Sequence, residues 1–374
     1  MKSRDEILMI LKMVQDGKIT NEDAAKLIEA IEGPDGEEGS AAAGPDKKKK
    51  PGKTSFEEKM EEMAEGLENM VSDVVDTTQK AFRNFPEINL GNWLNTVEKR
   101  HFSYNAEEGM DLEISTKNGG VKMSPGEDKI TVVFSIYTKK DVKDPMENII
   151  IEHDGKKLMI DATGVEGGAG IELGIPAIKY GKISISSKNG GVNCIPLKAD
   201  DIELTTKNGG IKIRGVESPA IKVLTKNGGI TCEKCLTEKA IMNTTNGSIT
   251  ISESECRLLD TNTTNGGIRC YQSSADMLEA NTSNASIHAE NISPVGKNGI
   301  MNLRTSNGNV RIMLPKDTGT MFKAHAGRHG KVIVNFPCAV SDGMEYAGRT
   351  ENYDSAEKKM SITARTNLGK IEIE

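Results

Sequence analysis

Cys232-Glu-Lys-Cys235 is the stretch whose residue types speak most directly of chemistry, since two thiols three positions apart can close a redox disulfide or supply half of a zinc site. A zinc ion would need two further ligands. The nearest cysteines along the repeats, Cys194 and Cys270, lie two units away in either direction, on the order of 10 Å, too far for one tetrahedral ion. Both members of the pair also align with apolar residues of neighbouring repeats, Cys232 with Ile213 and Ile251, and Cys235 with Leu197, Val216 and Ile292. Small apolar packing therefore accounts for them. His101, His153, His288, His325 and His329 have neither metal nor triad spacing, and His325 and His329 are expected at a solvent-facing strand and corner. No Gly-rich segment has the Gly-x-x-x-x-Gly-Lys-Ser/Thr order of a phosphate loop, and no pair of carboxylates stands out from the many. These absences predict no catalytic residue, no metal, no cofactor and no enzymatic activity.

The elements that would hold any site are set by a repeat. Asn118, Asn189, Asn208, Asn227, Asn246, Asn265, Asn284 and Asn307 each stand in a Thr/Ser-x-Asn-Gly-like tetrapeptide, and from Asn189 to Asn284 the spacing is 19 residues throughout. A fixed period of that size means stacked units, none of which can bury its apolar face alone. Three and five positions after Asn come apolar columns, Val121, Val192, Ile211 and Ile230, then Met123, Cys194, Ile213 and Cys232. Before it come pairs such as Ile183/Ile185, Ile202/Leu204 and Ile221/Val223, also alternating with period two. Each coil is thus two short strands meeting at an Asn-Gly corner. That dipeptide suggests a positive φ, with Asn stacked on Asn and Thr on Thr as a structural turn ladder.

Gly330 precedes Val332 and Val334, and Gly369 precedes Ile371 and Ile373, in the same relation, so the solenoid is expected to reach the C-terminus. Stacked in sequence order, roughly thirteen coils at ~4.8 Å give a rod on the order of 60 Å long. The segment around Trp93, with Leu90, Leu94 and Val97, is the expected N-terminal cap, and Ser341 to Lys359 an irregular loop or insertion. The fold class predicted is mainly β, a right-handed β-helix with coils of about 19 residues over 86–374, preceded by a small helical hairpin and a coiled-coil-like helix.

Composition limits the function classes. A net charge of −7 argues against a general nucleic-acid binder, and a content of 4% aromatic residues suits narrow coils. No run approaches the ~20 apolar residues of a membrane helix, and Arg4, Asp5 and Glu6 ahead of a short apolar stretch do not make a signal peptide, so the expectation is no integral membrane segment and a cytoplasmic location, with membrane or cell-surface association. Six cysteines in 374 residues do not form a disulfide scaffold.

Ahead of the repeats, 1–33 reads as a helical hairpin, with Ile7, Leu8, Ile10, Leu11 and Val14 before Gly17, then Thr20-Asn-Glu-Asp23 capping a helix that carries Ala24, Leu27, Ile28 and Ile31. So small a core is marginal, which points to self-association or docking. Residues 34–54 form a Gly/Pro/Ala-rich tether with lysines at 47 to 50. In 55–85, Phe56, Met60, Met63, Leu67, Met70 and Val74 trace a heptad seam opposite an acidic face.

Two of these regions resemble known families. Lys12 to Ile28, KMVQDGKITNEDAAKLI, is similar to the N-terminal domain shared by the YvlB and LiaX proteins of Gram-positive bacteria, and the Thr-Lys-Asn-Gly-Gly-Ile repeats resemble DUF4097, a family of candidate adhesins with a β-helix. The resemblance implies a scaffold in the cell-envelope stress response, partnered through residues 1–84 by itself or by a membrane-bound stress regulator, and it offers no catalytic motif. A second reading is an adhesin-like β-helix that binds cell wall or polysaccharide, as long β-solenoids do along one face.

Overall fold

The computed structural model describes residues 96–138, 144–336, 339–341 and 345–374. The expected hairpin, tether and seam helix, and Trp93 with Leu90 and Leu94, lie outside them. Every described strand belongs to one continuous sheet.

Alternation of apolar and polar residues builds the strands, and repetition of the same apolar columns stacks them in parallel. The chain enters through β1 (Thr96–Asn105), β2 (Asp111–Thr116), β3 (Val121–Pro125) and β4 (Lys129–Thr138), and after a 3-10 turn at Pro145–Asn148 continues with β5 (Ile150–His153), β6 (Lys157–Ala162) and β7 (Gly168–Ile175). The regular coils follow as β8 (Lys179–Ser187), β9 (Val192–Cys194), β10 (Leu197–Thr206), β11 (Ile211–Arg214), β12 (Val216–Glu217), β13 (Ala220–Leu224), β14 (Ile230–Glu233), β15 (Leu236–Asn243), β16 (Ile249–Ser252), β17 (Glu255–Asn262), β18 (Ile268–Asn281) and β19 (Ile287–Ser293). The C-terminal part holds β20 (Asn298–Thr305), β21 (Val310–Met313), β22 (Thr318–Ala326), β23 (Lys331–Val334), β24 (Ala339–Ser341), β25 (Glu345–Arg349), β26 (Lys358–Thr366) and β27 (Lys370–Ile373).

Through the middle, partners in adjacent layers are 19 residues apart, as in Ile202 opposite Ile221 and Ile211 opposite Ile230. The core is a set of columns running the length of the stack. One runs Leu112, Ile183, Ile202, Ile221, Ala240, Leu259, Leu278 and Met301, all buried. Full burial of each Leu, Ile or Met side chain in it contributes about 1.5–3 kcal/mol before entropy is set against it, so the stack is held chiefly by these columns.

At both ends the layers depart from sequence order. β2/β3 is sandwiched between β6/β7 on one side and β8/β9 on the other. β26/β27 is likewise inserted between β20/β21 and β22/β23. The stack therefore has eleven layers instead of about thirteen, close to 50 Å at ~4.8 Å per step. The surplus chain closes the ends. β4 pairs antiparallel with the terminal β7 and is itself covered by β1, while β5 covers β6. At the other end β25 runs antiparallel to β22 and carries β24. Each antiparallel strand pairs the hydrogen-bonding groups of the parallel edge it lies on. The irregular stretch Ser341 to Lys359 thus contributes β25, which lies between β22 and β24.

The Asn-Gly corner also corrects an expectation. Neither Asn118 and its equivalents nor the glycine after each takes a left-handed φ. The glycine is needed for closeness: a Cβ on Gly190, Gly209 or Gly228 would sit 2.0, 2.1 or 1.9 Å from the carbonyl oxygen of the glycine one layer below. The left-handed residues are at the opposite corner, where Gly215, Lys234, Glu253, Gln272 and Asn291 recur every 19 positions at φ 65, 56, 48, 50 and 52. There the chain must turn sharply between β14 and β15 and their equivalents, and four side chains accept the strain.

Candidate functional site

The Asn-Gly corner joins the two principal strands of each coil, and stacking turns its residues into rows. The Asn residues form an unbroken amide ladder: the Nδ2 of Asn189, Asn208, Asn227, Asn246, Asn265, Asn284 and Asn307 each donates to the Oδ1 of the Asn one layer earlier, at 2.6–2.8 Å. Two positions earlier in the chain a buried row of hydroxyls does a different job from Thr stacking on Thr. Thr206, Thr225, Thr244, Thr263 and Thr282 donate to the carbonyl oxygens of Gly190, Gly209, Gly228, Gly247 and Gly266 at 2.8–2.9 Å. These bonds satisfy backbone acceptors at the bend.

Between the two rows stand Lys117, Lys188, Lys207 and Lys226, exposed and in four successive layers. Their alignment is fixed by the backbone: Asn189, Asn208, Asn227 and Asn246 N–H groups donate at 2.9 Å to the carbonyls of these lysines in turn. Lysine before Asn was visible in the repeat, yet its meaning as a column of like charge needs the stacking. On the far side of the corner Gly120, Gly191 and Gly210 floor a groove of about 410 Å³ bordered by Lys122, Lys212, Asn193, Glu172, Ser135 and Tyr137. A groove of about 500 Å³ lies farther along the same side, where Ser248 and Ser286 replace glycines on either side of Gly267 and Arg269, His288 and Arg311 border it.

On other outward rows charges of opposite sign pair between layers. Lys157 meets Glu113 at 2.6 Å, Lys198 meets Glu217 at 2.7 Å and Lys222 meets Glu203 at 2.8 Å. The Lys222 hydrogen bond, with help from Lys182, holds the Glu203 carboxyl below its usual range.

Cys232 and Cys235 flank the left-handed Lys234 and are both buried. The hydrogen bond between them pushes the Cys232 thiol well up and draws that of Cys235 down. Cys194 and Cys270 sit in the inward column two layers to either side, and burial pushes each up to about 12. Among the described residues no group of three or more His, Cys, Asp or Glu is placed to hold a metal. His288 Nε2 lies 3.8 Å from Glu290 and His325 Nδ1 3.4 Å from Glu345, while His329 is exposed. Among the described residues no helix is long and apolar enough to cross a membrane.

Similarity to known proteins follows this layout. Among solved structures, a candidate cell adhesion protein from Clostridium sporogenes ATCC 15579 is 15% identical, with 74% of this chain and 99% of that one covered at a TM-score of 0.24. A candidate adhesin from Bacteroides fragilis NCTC 9343 is 10% identical over 75% and 99%, TM-score 0.34. A candidate lipid-binding protein from Parabacteroides distasonis ATCC 8503 is 8% identical over 75% and 98%, also at 0.34. No curated protein matches the chain. Residues 5–36 match the model of a SHOCT-like domain. The Toastrack model, DUF4097, matches residues 110–374, which is most of the chain and nearly the whole of the stack, and the protein belongs to that family.

Proposed function

We propose that the chain is a non-enzymatic scaffold of the bacterial cell-envelope stress response, in which the β-solenoid is a rigid body and the N-terminal segments carry the contacts. The observation that carries this reading is the closure of the stack. Antiparallel strands cover both strands of the N-terminal layer and β22 of the C-terminal one, and the inward columns are filled by aliphatic packing. A body with paired edges resists adding further strands and offers its faces instead. Residues 1–33 supply a self-associating or docking hairpin, and the partner is a membrane-bound stress regulator reached from the cytoplasmic side or at the cell surface. The heptad seam of 55–85 joins that contact as a coiled coil.

Recovery from native membranes of the full chain and of a version lacking residues 1–33 tests this. A membrane regulator retained by the full chain and lost with the hairpin is the expected outcome; equal recovery by both would sink the proposal. A fragment lacking residues 1–84 is expected to stay folded and β-rich by circular dichroism. Its unfolding would show that the N-terminal segments belong to the core.

A further inference from the structure

Like charges stacked one layer apart repel, and a surface row of them normally alternates with acids. The outward rows of this stack follow that rule at Lys157–Glu113, Lys198–Glu217, Lys222–Glu203 and Arg257–Glu238. Lys117, Lys188, Lys207 and Lys226 break it. They occupy four consecutive layers, and among the described residues none of them makes an ion pair. In those layers the rows on either side are Asn118, Asn189, Asn208 and Asn227, and Ser115, Ser186, Thr205 and Leu224, without an acid. Beyond the Asn row, Lys122 and Lys212 border the glycine-floored groove, with Glu172 opposite Lys122 as its one acid. An acidic protein thus carries an uncompensated cationic row along its stacking axis.

We propose that this row and the groove beside it bind a linear acidic polysaccharide laid along the axis of the stack. The chemistry of the flanking rows selects the ligand. Each ladder Asn uses one amide hydrogen and one lone pair of its oxygen on its neighbours, which leaves one donor hydrogen and one acceptor site facing outward in every layer. Together with Ser115, Ser186 and Thr205 these match a hydroxyl-rich polymer, while the lysine ammoniums match its carboxylates. Tyr137, 40% exposed at the end of the groove, offers a ring face to a sugar. A bilayer fits less well, because four lysines in a single file are flanked by rows that are polar but for the half-buried Leu224, and not by a set of apolar residues that insert among lipids. Single-stranded nucleic acid would require a series of aromatic platforms for its bases, and the row has none. The inference deepens the polysaccharide-binding reading of such folds and does not depend on the N-terminal segments.

Oligogalacturonates, with one carboxylate per sugar, provide the probe. Titrated calorimetrically into the full chain in low salt, they are expected to bind more tightly with each added sugar until the oligomer spans the four lysine layers, and then to level off. The pair Lys188→Gln and Lys207→Gln is expected to weaken binding about tenfold or more and to flatten its salt dependence. Lys198→Gln, on the ion-paired rows, is expected to leave binding unchanged. Circular dichroism of each variant establishes that it is folded. Absence of binding, binding without length dependence, or equal loss in the Lys198→Gln control would overturn the assignment. So would lysine-dependent binding to phosphatidylglycerol vesicles or to oligodeoxythymidylate in place of the oligosaccharide. If the membrane regulator is still recovered through the hairpin while oligogalacturonates fail to bind, the row alone is refuted and the scaffold reading stands.

Discussion

At the scale of single residues, the two hydrogen-bonded rows of the Asn-Gly corner differ in what their loss should cost. Asn227 donates to Asn208 and accepts from Asn246 at the exposed rim, so after Asn227→Ala water can replace both contacts. The expected loss is about 0.5–1 kcal/mol. Thr225 is 8% exposed and its hydroxyl serves the carbonyl of Gly209 at 2.9 Å. Thr225→Val keeps the shape and strands that acceptor where water is scarce, for an expected loss of about 1–3 kcal/mol. Urea denaturation of the two variants decides the order; a costlier Asn227→Ala would mean that the amide ladder, and not the hydroxyl row, holds the corner. The ladder glycines make a sharper case. Gly209→Ala sets a methyl 2.1 Å from the Gly190 carbonyl oxygen and should exceed both losses, because two layers must separate to admit it. Ala285 already stands in the same column, 19 residues after Gly266, so the corner accommodates a methyl in that one layer.

At the scale of elements, the two ends of the stack each bury a layer placed out of sequence order. β26/β27, the last strands of the chain, hydrogen-bond to β20/β21 on one side and β22/β23 on the other. In a solenoid stacked in sequence order, trimming the last coil shortens the rod by one layer and leaves the rest intact. Here removal of residues 357–374 takes out an interior layer. The expected result is rapid amide exchange throughout 298–334, with protection kept in β10 to β17; protection retained in β20 and β22 would show that these layers stand without the inserted one. The strands themselves were legible in the sequence, since period-two alternation and the 19-residue recurrence named inward residues of β8 to β14 correctly. Their order at the ends was not. Any coil presents the same apolar columns to its neighbour, so Leu112 stacks equally well against Leu158 or Ile183, and the choice falls to the connections at 126–156 and 335–357, which carry no repeat. The second corner was equally hidden, because Lys234, Glu253 and Gln272 adopt a left-handed φ that nothing in their side chains announces.

At the scale of the whole molecule, what was legible of the candidate site was its position and not its sense. Thr-Lys-Asn-Gly showed a lysine beside each Asn in four repeats, yet only registration between layers makes these a row of like charge. The cysteines show how the same columns govern the stability of the entire domain. Burial pushes the thiols of Cys194, Cys256 and Cys270 up to about 12 from an ordinary value of 9.0. The folded protein thus keeps these protons through a range in which the unfolded chain loses them. Since the unfolded state then binds fewer protons, stability falls as pH rises. The contribution is complete below about pH 9 and is lost progressively towards pH 12. Each fully titrating group contributes a slope of about 1.4 kcal/mol per pH unit, so the three together give a decline on the order of 4 kcal/mol per unit in the middle of that window. Burial also holds the Tyr180 hydroxyl, which donates to the Pro176 carbonyl, up at about 12, and this adds to the decline above pH 10. Cys194→Ala with Cys270→Ala removes two of the thiols from columns that already accept Ala289. The double variant is expected to be less stable than the parent at pH 8, through the small cavities left behind, and to lose stability less steeply between pH 9.5 and 11, by about 3 kcal/mol per unit. Urea midpoints measured across that range test the point, and parallel curves for the two proteins would mean that the alkaline sensitivity has another origin.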